Sequence, residues 1–367
     1  MIKVQFDHQI FSMQDYGGIS RYFASLSNFL GNRPEFEHRL RILYSRNAYL
    51  SDQHSILPKA LGDFFLKDYS SYNKYNRRYF KAIAALNRFD VFHPTYYHPY
   101  FLKLVKKPVV ITVHDMIHEL YPSFFSNDRT TQNKREVLAR ADHIIAISQT
   151  TKDDLKSIFD MPEEKISVIH HGYFEPVVYG EPRKVSLRLP ARYLLFVGSR
   201  AAYKNFSRMV EAIAPIVNND PDLLVVCAGG GRFSMDEEVQ LRKLGLSKKF
   251  LQMNVEEQDM PVLYKSALLF IFPSLYEGFG LPILEAFHNV CPIAISCTPS
   301  FNEVAGEAAS YFDPLDLHSI NRTVSELIDS KTLRNQLTDM GKLRLHDFSS
   351  AKCLQKTTEI YKRIVQG

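Results

Sequence analysis

Short runs of β-branched and aromatic residues alternate along nearly the whole chain with stretches whose apolar positions recur at helical spacing. That alternation is the pattern of parallel strands covered by helices, and it predicts an α/β fold. In the first half, strands are expected at 2–6 (IKVQF), 39–44 (RLRILY), 109–113 (VVITV), 143–147 (HIIAI) and 166–170 (ISVIH), with helices between them. A passage rich in Pro, Gly and charge, HGYFEPVVYGEPRKVSLRLP at 171–190, then breaks the rhythm and reads as a linker. The alternation restarts with 193–197 (YLLFV), 223–228 (LLVVCA), 250–253 (FLQM), 267–272 (ALLFIF) and 292–296 (PIAIS). Two facing Rossmann-like domains are expected, residues 1–175 and 191–350, joined by 176–190 and followed by a helix over 351–367, which fold analogy alone would carry back to the first domain. Ligands of open α/β sheets bind beyond the carboxyl ends of the strands, so strand-end loops of both halves should line one interdomain cleft.

Composition narrows the field. A chain of 367 residues with 45% apolar content can bury a large core, and its length favours two domains. The start, MIKVQFDHQIF, lacks a basic leader followed by an apolar core, so no signal peptide is expected. Apolar runs such as SALLFIF at 266–272 fall far short of the roughly 20 residues of a membrane-spanning helix. The four cysteines, at 227, 291, 297 and 353, form no C-x-x-C pair, and reduced thiols in a cytoplasmic protein are the simplest account.

A net charge of +5 is too weak to argue for a nucleic-acid partner, but one segment holds much of it. Residues 59–81 interleave Lys67, Lys74, Arg77, Arg78 and Lys81 with Tyr69, Tyr72, Tyr75, Tyr79 and Phe80. Such a segment could rest on an anionic leaflet, aromatics at headgroup level and cations toward phosphate; a solvated helix whose aromatic stripe packs on its own domain fits equally well.

The most informative stretch is FPSLYEGFGLPILEAF, 272–287. A strand, a glycine-containing loop and a helix start with Pro282 in its first turn follow one another. Glu277 falls in the loop and Glu285 on the first helical turn, while the amides of Phe279, Gly280 and Leu281 point outward from a positive helix end. That is a seat for a phosphate, with a carboxylate on either side to accept from sugar and ribose hydroxyls. Upstream, Gly198 ends a strand and is followed by Arg200 and Lys204, two cations where a pyrophosphate could lie. Gly17 and Gly18 precede a helical stretch and permit close approach, and His114 with Asp115 ends a strand, where both should stand at the cleft mouth. His114 and His118 are four apart but no third ligand accompanies them, so no metal site is expected. Asp220-Pro221-Asp222 precedes a strand and reads as a turn. GGGRFS at 229–234 lacks the last glycine of a dinucleotide fingerprint, which argues against a dehydrogenase.

Glu277, GFGLPIL, Glu285 closely resembles the glutamate, seven residues, glutamate signature of family 4 of the retaining glycosyltransferases, as found in bacterial surface-polysaccharide mannosyltransferases. GSRAAYKN at 198–205 is similar to the family's donor-phosphate segment, and YGGISRY at 16–22, TVHD at 112–115, ADHIIAIS at 141–148, VIHHG at 168–172 and EVAGEAASYFDP at 303–314 follow in the family's order. The resemblance implies the GT-B fold, an acceptor-binding first domain and a nucleotide-sugar-binding second domain. It implies donor contacts from Gly17, Gly18, Gly198, Arg200, Lys204, Glu277, Phe279, Gly280, Leu281 and Glu285, and from backbone near Val255 to the base. It places His114 near the transferred sugar, with Arg200, Lys204 and Glu277 completing the catalytic set. No metal or other cofactor is expected, because the two cations and the helix amides would stand where a divalent ion does in other transferases. Retention would proceed by front-face attack, the leaving phosphate helping to take the acceptor proton. A GDP-sugar donor leads, mannose or a deoxyhexose, with UDP sugars behind; a glycan or lipid-linked oligosaccharide in surface-polysaccharide assembly is the expected acceptor. A nucleotide-sugar epimerase of the same fold and a non-catalytic nucleotide-sugar binder are the competing readings.

Overall fold

The computed structural model describes residues 1–51, 54–66, 68–126, 128–175 and 187–366. Residues 176–186 of the expected linker lie outside the described residues. The chain divides into two compact units, one of residues 1–174 with 350–367 and one of residues 175–349.

In the first unit the strands are β1 (Ile2–Phe6), β2 (Phe36–Arg39), β3 (Val91–His93), β4 (Val110–Val113), β5 (His143–Ala146) and β6 (Ile166–Val168). The helices are α1 (Gln9–Met13), α2 (Gly18–Gly31), α3 (Lys59–Phe65), α4 (Tyr69–Ala85), α5 (Ile117–Leu120), α6 (Thr130–Arg140) and α7 (Gln149–Phe159). Two parallel sheets, β2-β1-β3 and β4-β5-β6, are joined by a single parallel bridge between Phe92 and Val109. Buried apolar residues of β1, β3, β4 and β5 pack on α2.

The second unit has β7 (Tyr193–Val197), β8 (Leu224–Ala228), β9 (Phe250–Met253), β10 (Leu269–Phe272), β11 (Ile293–Ser296) and β12 (Ser310–Phe312) in one parallel sheet of order β12-β11-β10-β7-β8-β9. Its helices are α8 (Phe206–Asn219), α9 (Met235–Lys243), α10 (Met260–Ser266), α11 (Leu281–His288), α12 (Pro299–Ala305), α13 (Leu317–Asp329) and α14 (Lys331–Leu345). The last helix, α15 (Ser350–Gln366), packs in the first unit, where Tyr361 OH lies 2.6 Å from His93 Nδ1.

The expected strand at 39–44 is displaced. Pairing with β1 ends at Arg39, yet Leu40, Ile42 and Tyr44 stay buried in alternation, because their backbone pairs with the segment after it: Ile42 N donates to His54 O and Ile56 N to Ile42 O. β3 and β12 were not expected. Each is three residues long, too short to display a period of two, although β3 is central and wholly buried.

In each unit the strand order reverses at one place, between β1 and β3 and between β7 and β10. Crevices at the carboxyl ends of strands on either side of such a reversal are where open α/β sheets hold ligands. No helix among the described residues is long and apolar enough to cross a membrane.

Candidate functional site

The reversal between β7 and β10 gathers most of the chemistry expected in the second unit. β7 ends at Gly198, whose φ of +116° few side chains adopt and whose amide donates to Ala228 O at 2.8 Å. The chain then passes through a 3-10 turn, Ala202–Lys204, which is tied to the loop after β10 by Leu275 N donating to Tyr203 O at 2.8 Å. This tie brings Lys204 to Glu277. Nζ lies 2.5 Å from Glu277 Oε1, which also accepts from Ser274 Oγ at 2.7 Å. Both side chains are mostly buried, so their attraction is weakly screened. Glu277 Oε2 makes no hydrogen bond among the described residues.

Gly280 ends the loop and caps α11 at φ +104°. A Cβ there would lie 3.0 Å from both Ile283 Cδ1 and Phe301 Cε1, so conformation and space together require glycine. Pro282 occupies the first turn of α11. The amides of Gly280 and Leu281 make no hydrogen bond among the described residues, and they lie at the positive end of the helix. Phe279 is buried and packs edge-to-face on Phe348, centroids 5.6 Å apart, so its side chain anchors the loop.

Glu285 is the fifth residue of α11, one position beyond the first turn where it was expected. Its Oε2 accepts from the buried Tyr264 hydroxyl of α10 at 3.1 Å. Val255 lies two residues beyond β9, half-buried.

Arg200, expected to face the donor pyrophosphate, is held by groups of its own unit. Its side chain is 4% exposed: Nε donates to Glu237 Oε1 at 2.8 Å, Nη1 to Gly229 O at 3.1 Å, and Nη2 to Gly231 O at 2.9 Å and Arg232 O at 2.7 Å. The guanidinium also faces the Phe233 ring at 4.8 Å. It therefore fastens the loop after β8, where Gly229, Gly230 and Gly231 all have positive φ. Glu237 belongs to a capping box with Ser234, a signal present in SMDE, while Ser274 and Tyr264 have no signature in the sequence.

Gly17, Gly18 and His114 belong to the first unit. Gly17 caps α2 and Gly18 opens it; the short helix α1 occupies part of the connection from β1. His114 follows β4 and is buried, not standing at an open mouth. Its amide donates to Tyr97 OH at 3.0 Å and its ring stacks on His171, centroids 5.5 Å apart. Burial, then the nearby His171, His93 and Lys134, push its pKa well below the usual histidine value, so the ring is neutral at pH 7. Its Nε2 is buried without a partner among the described residues.

Two other expectations meet their geometry here. Asp220-Pro221-Asp222 is a turn before β8, Asp222 N donating to Asp220 Oδ1 while Asp220 pairs with Arg192. In α4, Tyr72 and Phe80 are buried, so these two aromatics pack on the unit and do not face outward. Lys67 and the Tyr69 side chain lie outside the described residues. Tyr75 of α4 is exposed, and further exposed apolar side chains sit before α4, Leu61, Phe64 and Phe65 of α3, the last two 67% and 69% exposed.

Comparison with known proteins agrees with this architecture. A family model described as Glycosyltransferase Family 4 matches residues 16–173, and one described as Glycosyl transferases group 1 matches 181–344. The chain is 25% identical over 340 residues to O-antigen chain mannosyltransferase B of Escherichia coli, covering 88% of this chain and 83% of that protein. It is 27% identical over 219 residues to O-antigen chain mannosyltransferase RfbU of Salmonella typhimurium, covering 59% and 60%. Among solved structures, sucrose-phosphate synthase from Thermosynechococcus elongatus superimposes with a TM-score of 0.75 at 16% identity, over 99% of both chains. Anabaena Alr3699/HepE in complex with UDP-glucose does so with a TM-score of 0.73 at 17% identity, over 99% of this chain and 100% of that one.

Proposed function

The chain belongs to the group 1 and family 4 glycosyltransferases and has their GT-B fold, and from that premise we propose that it moves a hexose with retention of configuration from a nucleotide sugar to a glycan or lipid-linked acceptor, without a metal. The donor in this reading is GDP-mannose or a related GDP-sugar, and the pathway is surface-polysaccharide assembly. Relatives named as O-antigen mannosyltransferases support mannose as the sugar and the pathway.

The observation that carries the reading is the meeting of Lys204, Glu277 and the open amides of Gly280 and Leu281 at the reversal between β7 and β10. Lys204 and those amides neutralise the pyrophosphate as the glycosidic bond to it breaks, and Arg200 supports them by holding the neighbouring loop and offering its remaining Nη1 hydrogen. Glu277 keeps Lys204 oriented through Oε1 and offers Oε2 to a sugar hydroxyl. Glu285 accepts from the ribose, with Tyr264 fixing its carboxylate, and backbone near Val255 meets the base. Gly17 and Gly18 approach the donor, and the neutral His114 gives or accepts one hydrogen bond at the transferred sugar. The acceptor hydroxyl attacks from the face the nucleotide leaves, and a phosphate oxygen takes its proton. Incubation with each nucleotide sugar in EDTA, following nucleotide release, tests this. Turnover that appears only when a divalent ion is added would remove the metal-free mechanism, and a glycosyl adduct on Glu277 would replace front-face attack.

Peripheral contact with an anionic leaflet belongs to the same reading. Leu61, Phe64 and Phe65 form an exposed apolar set on α3, and Lys74 and Arg78 of α4 are exposed as well. Failure to sediment with anionic vesicles at low salt would contradict it.

A further inference from the structure

The reversal in the first unit holds a site of its own. Loops leaving β1 and β3, with α4 and α6, enclose a cavity of about 180 Å³ lined by His8, Arg77, Tyr96, Tyr100 and Asn133 among others. It has room for several waters, the scale of one sugar ring.

Its hydrogen-bonding groups are arranged for a ligand. His8 Nδ1 lies 3.0 Å from Ser12 Oγ, which already accepts from Asn76 Nδ2 at 2.9 Å. Ser12 Oγ can give its proton to Nδ1 or accept one from it, and in either tautomer the second ring nitrogen, Nε2, is left as a hydrogen-bonding group. The ring is 3% exposed, burial holds its pKa down to about 4, and Nε2 has no partner among the described residues. A buried polar nitrogen without a partner is costly unless a bound molecule supplies one. Arg77 adds a guanidinium whose Nη1 is 3.0 Å from His98 Nε2 and which has no carboxylate within ion-pair distance among the described residues.

The surroundings select against an anion. Tyr100 OH donates to Asp7 Oδ2 at 2.9 Å, and Asp7, buried, accepts also from Thr95 and Gln9 and has no ion pair among the described residues. A phosphate or carboxylate in the cavity would stand one hydroxyl away from that buried charge. Tyrosines beside an imidazole nitrogen, a guanidinium and an amide suit a neutral ring of hydroxyls, which both donate and accept.

We propose that this cavity is a subsite for one neutral hexopyranose unit of the acceptor, whose hydroxyls hydrogen-bond to His8 Nε2 and accept from Arg77 while its apolar face lies on the tyrosines. The proposal rests on the reading of the chain as a transferase acting on glycans. Its test is saturation-transfer NMR on the full chain with methyl α-mannopyranoside, methyl glucuronide and inorganic phosphate as separate probes. The expected result is binding of the neutral pyranoside, weakened about tenfold by His8→Phe or Arg77→Ala and abolished by Asn133→Trp, which fills the cavity from the half-buried face of α6. Arg77 and Asn133 are only half-buried, so their variants should fold. Binding of GDP or UDP to the same samples reports on the second unit. If a nucleotide binds but the pyranoside does not, or its signal is indifferent to all three substitutions, the subsite is wrong while the transferase reading stands. If phosphate or glucuronide binds in place of the pyranoside, the cavity is an anion site and the proposal is overturned. If no nucleotide binds, it is the transferase reading that fails.

Discussion

Arg200→Ala separates the donor role that the sequence assigns to this residue from the fastening role that the fold gives it. If the guanidinium chiefly fastens the loop after β8, its loss should be felt first in stability. The substitution removes the ion pair to Glu237 and the bonds to the carbonyls of Gly229, Gly231 and Arg232, all from a side chain that is 4% exposed. Breaking a buried pair by deleting one partner costs about 3–5 kcal/mol, because the other charge is left behind. Glu237 keeps its bond from Ser234 N at 2.7 Å and is 16% exposed, which argues for the lower figure, about 3 kcal/mol. For a unit of this size each kcal/mol lowers Tm by about 2–4 °C, so a fall of about 6–12 °C is expected by calorimetry. Arg200→Lys should recover little, since an ammonium cannot span carbonyls and carboxylate together. A second expectation follows for Glu237→Gln, which should account for most of the same loss without touching the site of Lys204. A Tm within about 2 °C of wild type for Arg200→Ala would refute the fastening role and return Arg200 to the donor as a free cation.

Gly280→Ala combines a left-handed backbone with contacts at 3.0 Å, and about 2–4 kcal/mol should be lost in urea unfolding. Gly198→Ala, where nothing lies within 4 Å of the added carbon, should cost only the backbone strain, about 1–2 kcal/mol. The first unit should be acid-sensitive. His93 and His171 are buried with pKa values of about 3, below the 6.5 they regain on unfolding, so their contribution is complete above pH 6.5 and is lost as pH falls toward 3. Each should remove about 2 kcal/mol between pH 6.5 and 5, and an unfolding midpoint equal at pH 7 and pH 5 would contradict their neutral burial. Phe64→Ser with Phe65→Ser should reduce sedimentation with anionic vesicles at low salt without changing nucleotide binding.

What the sequence made legible follows the length of each signal. β7, β10 and the loop from Ser274 to Gly280 stand out because a wholly apolar strand, two glycines and Pro282 succeed one another within twenty residues. β3 did not, since three residues between a turn and a proline carry no period, yet it carries the loop of Tyr96 and Tyr100. The stretch 39–44 was expected as one strand, but only Arg39 pairs with β1 while Ile42 pairs with the segment after it, because periodicity reports a face and says nothing of which backbone it pairs with. Pairwise geometry was likewise beyond reach. The sequence placed Arg200 and Lys204 side by side as cations, and only the fold shows that one turns to Glu277 and the other to Glu237, seventy-three and thirty-seven residues away. The buried network of Asp7, His8 and Tyr100 joins two loops some ninety residues apart and has no local motif to announce it.

The central claim is that the Lys204, Glu277 and Glu285 site of the second unit binds a nucleotide sugar without a metal. Calorimetry against GDP, UDP, ADP and dTDP sugars in EDTA, on wild type and Glu285→Ala, tests it most directly. The account predicts that one nucleotide class binds and that the variant weakens it about tenfold or more, through loss of the charged acceptor that Tyr264 holds in place. Binding that requires a divalent ion, or that is equal in wild type and variant, would contradict it.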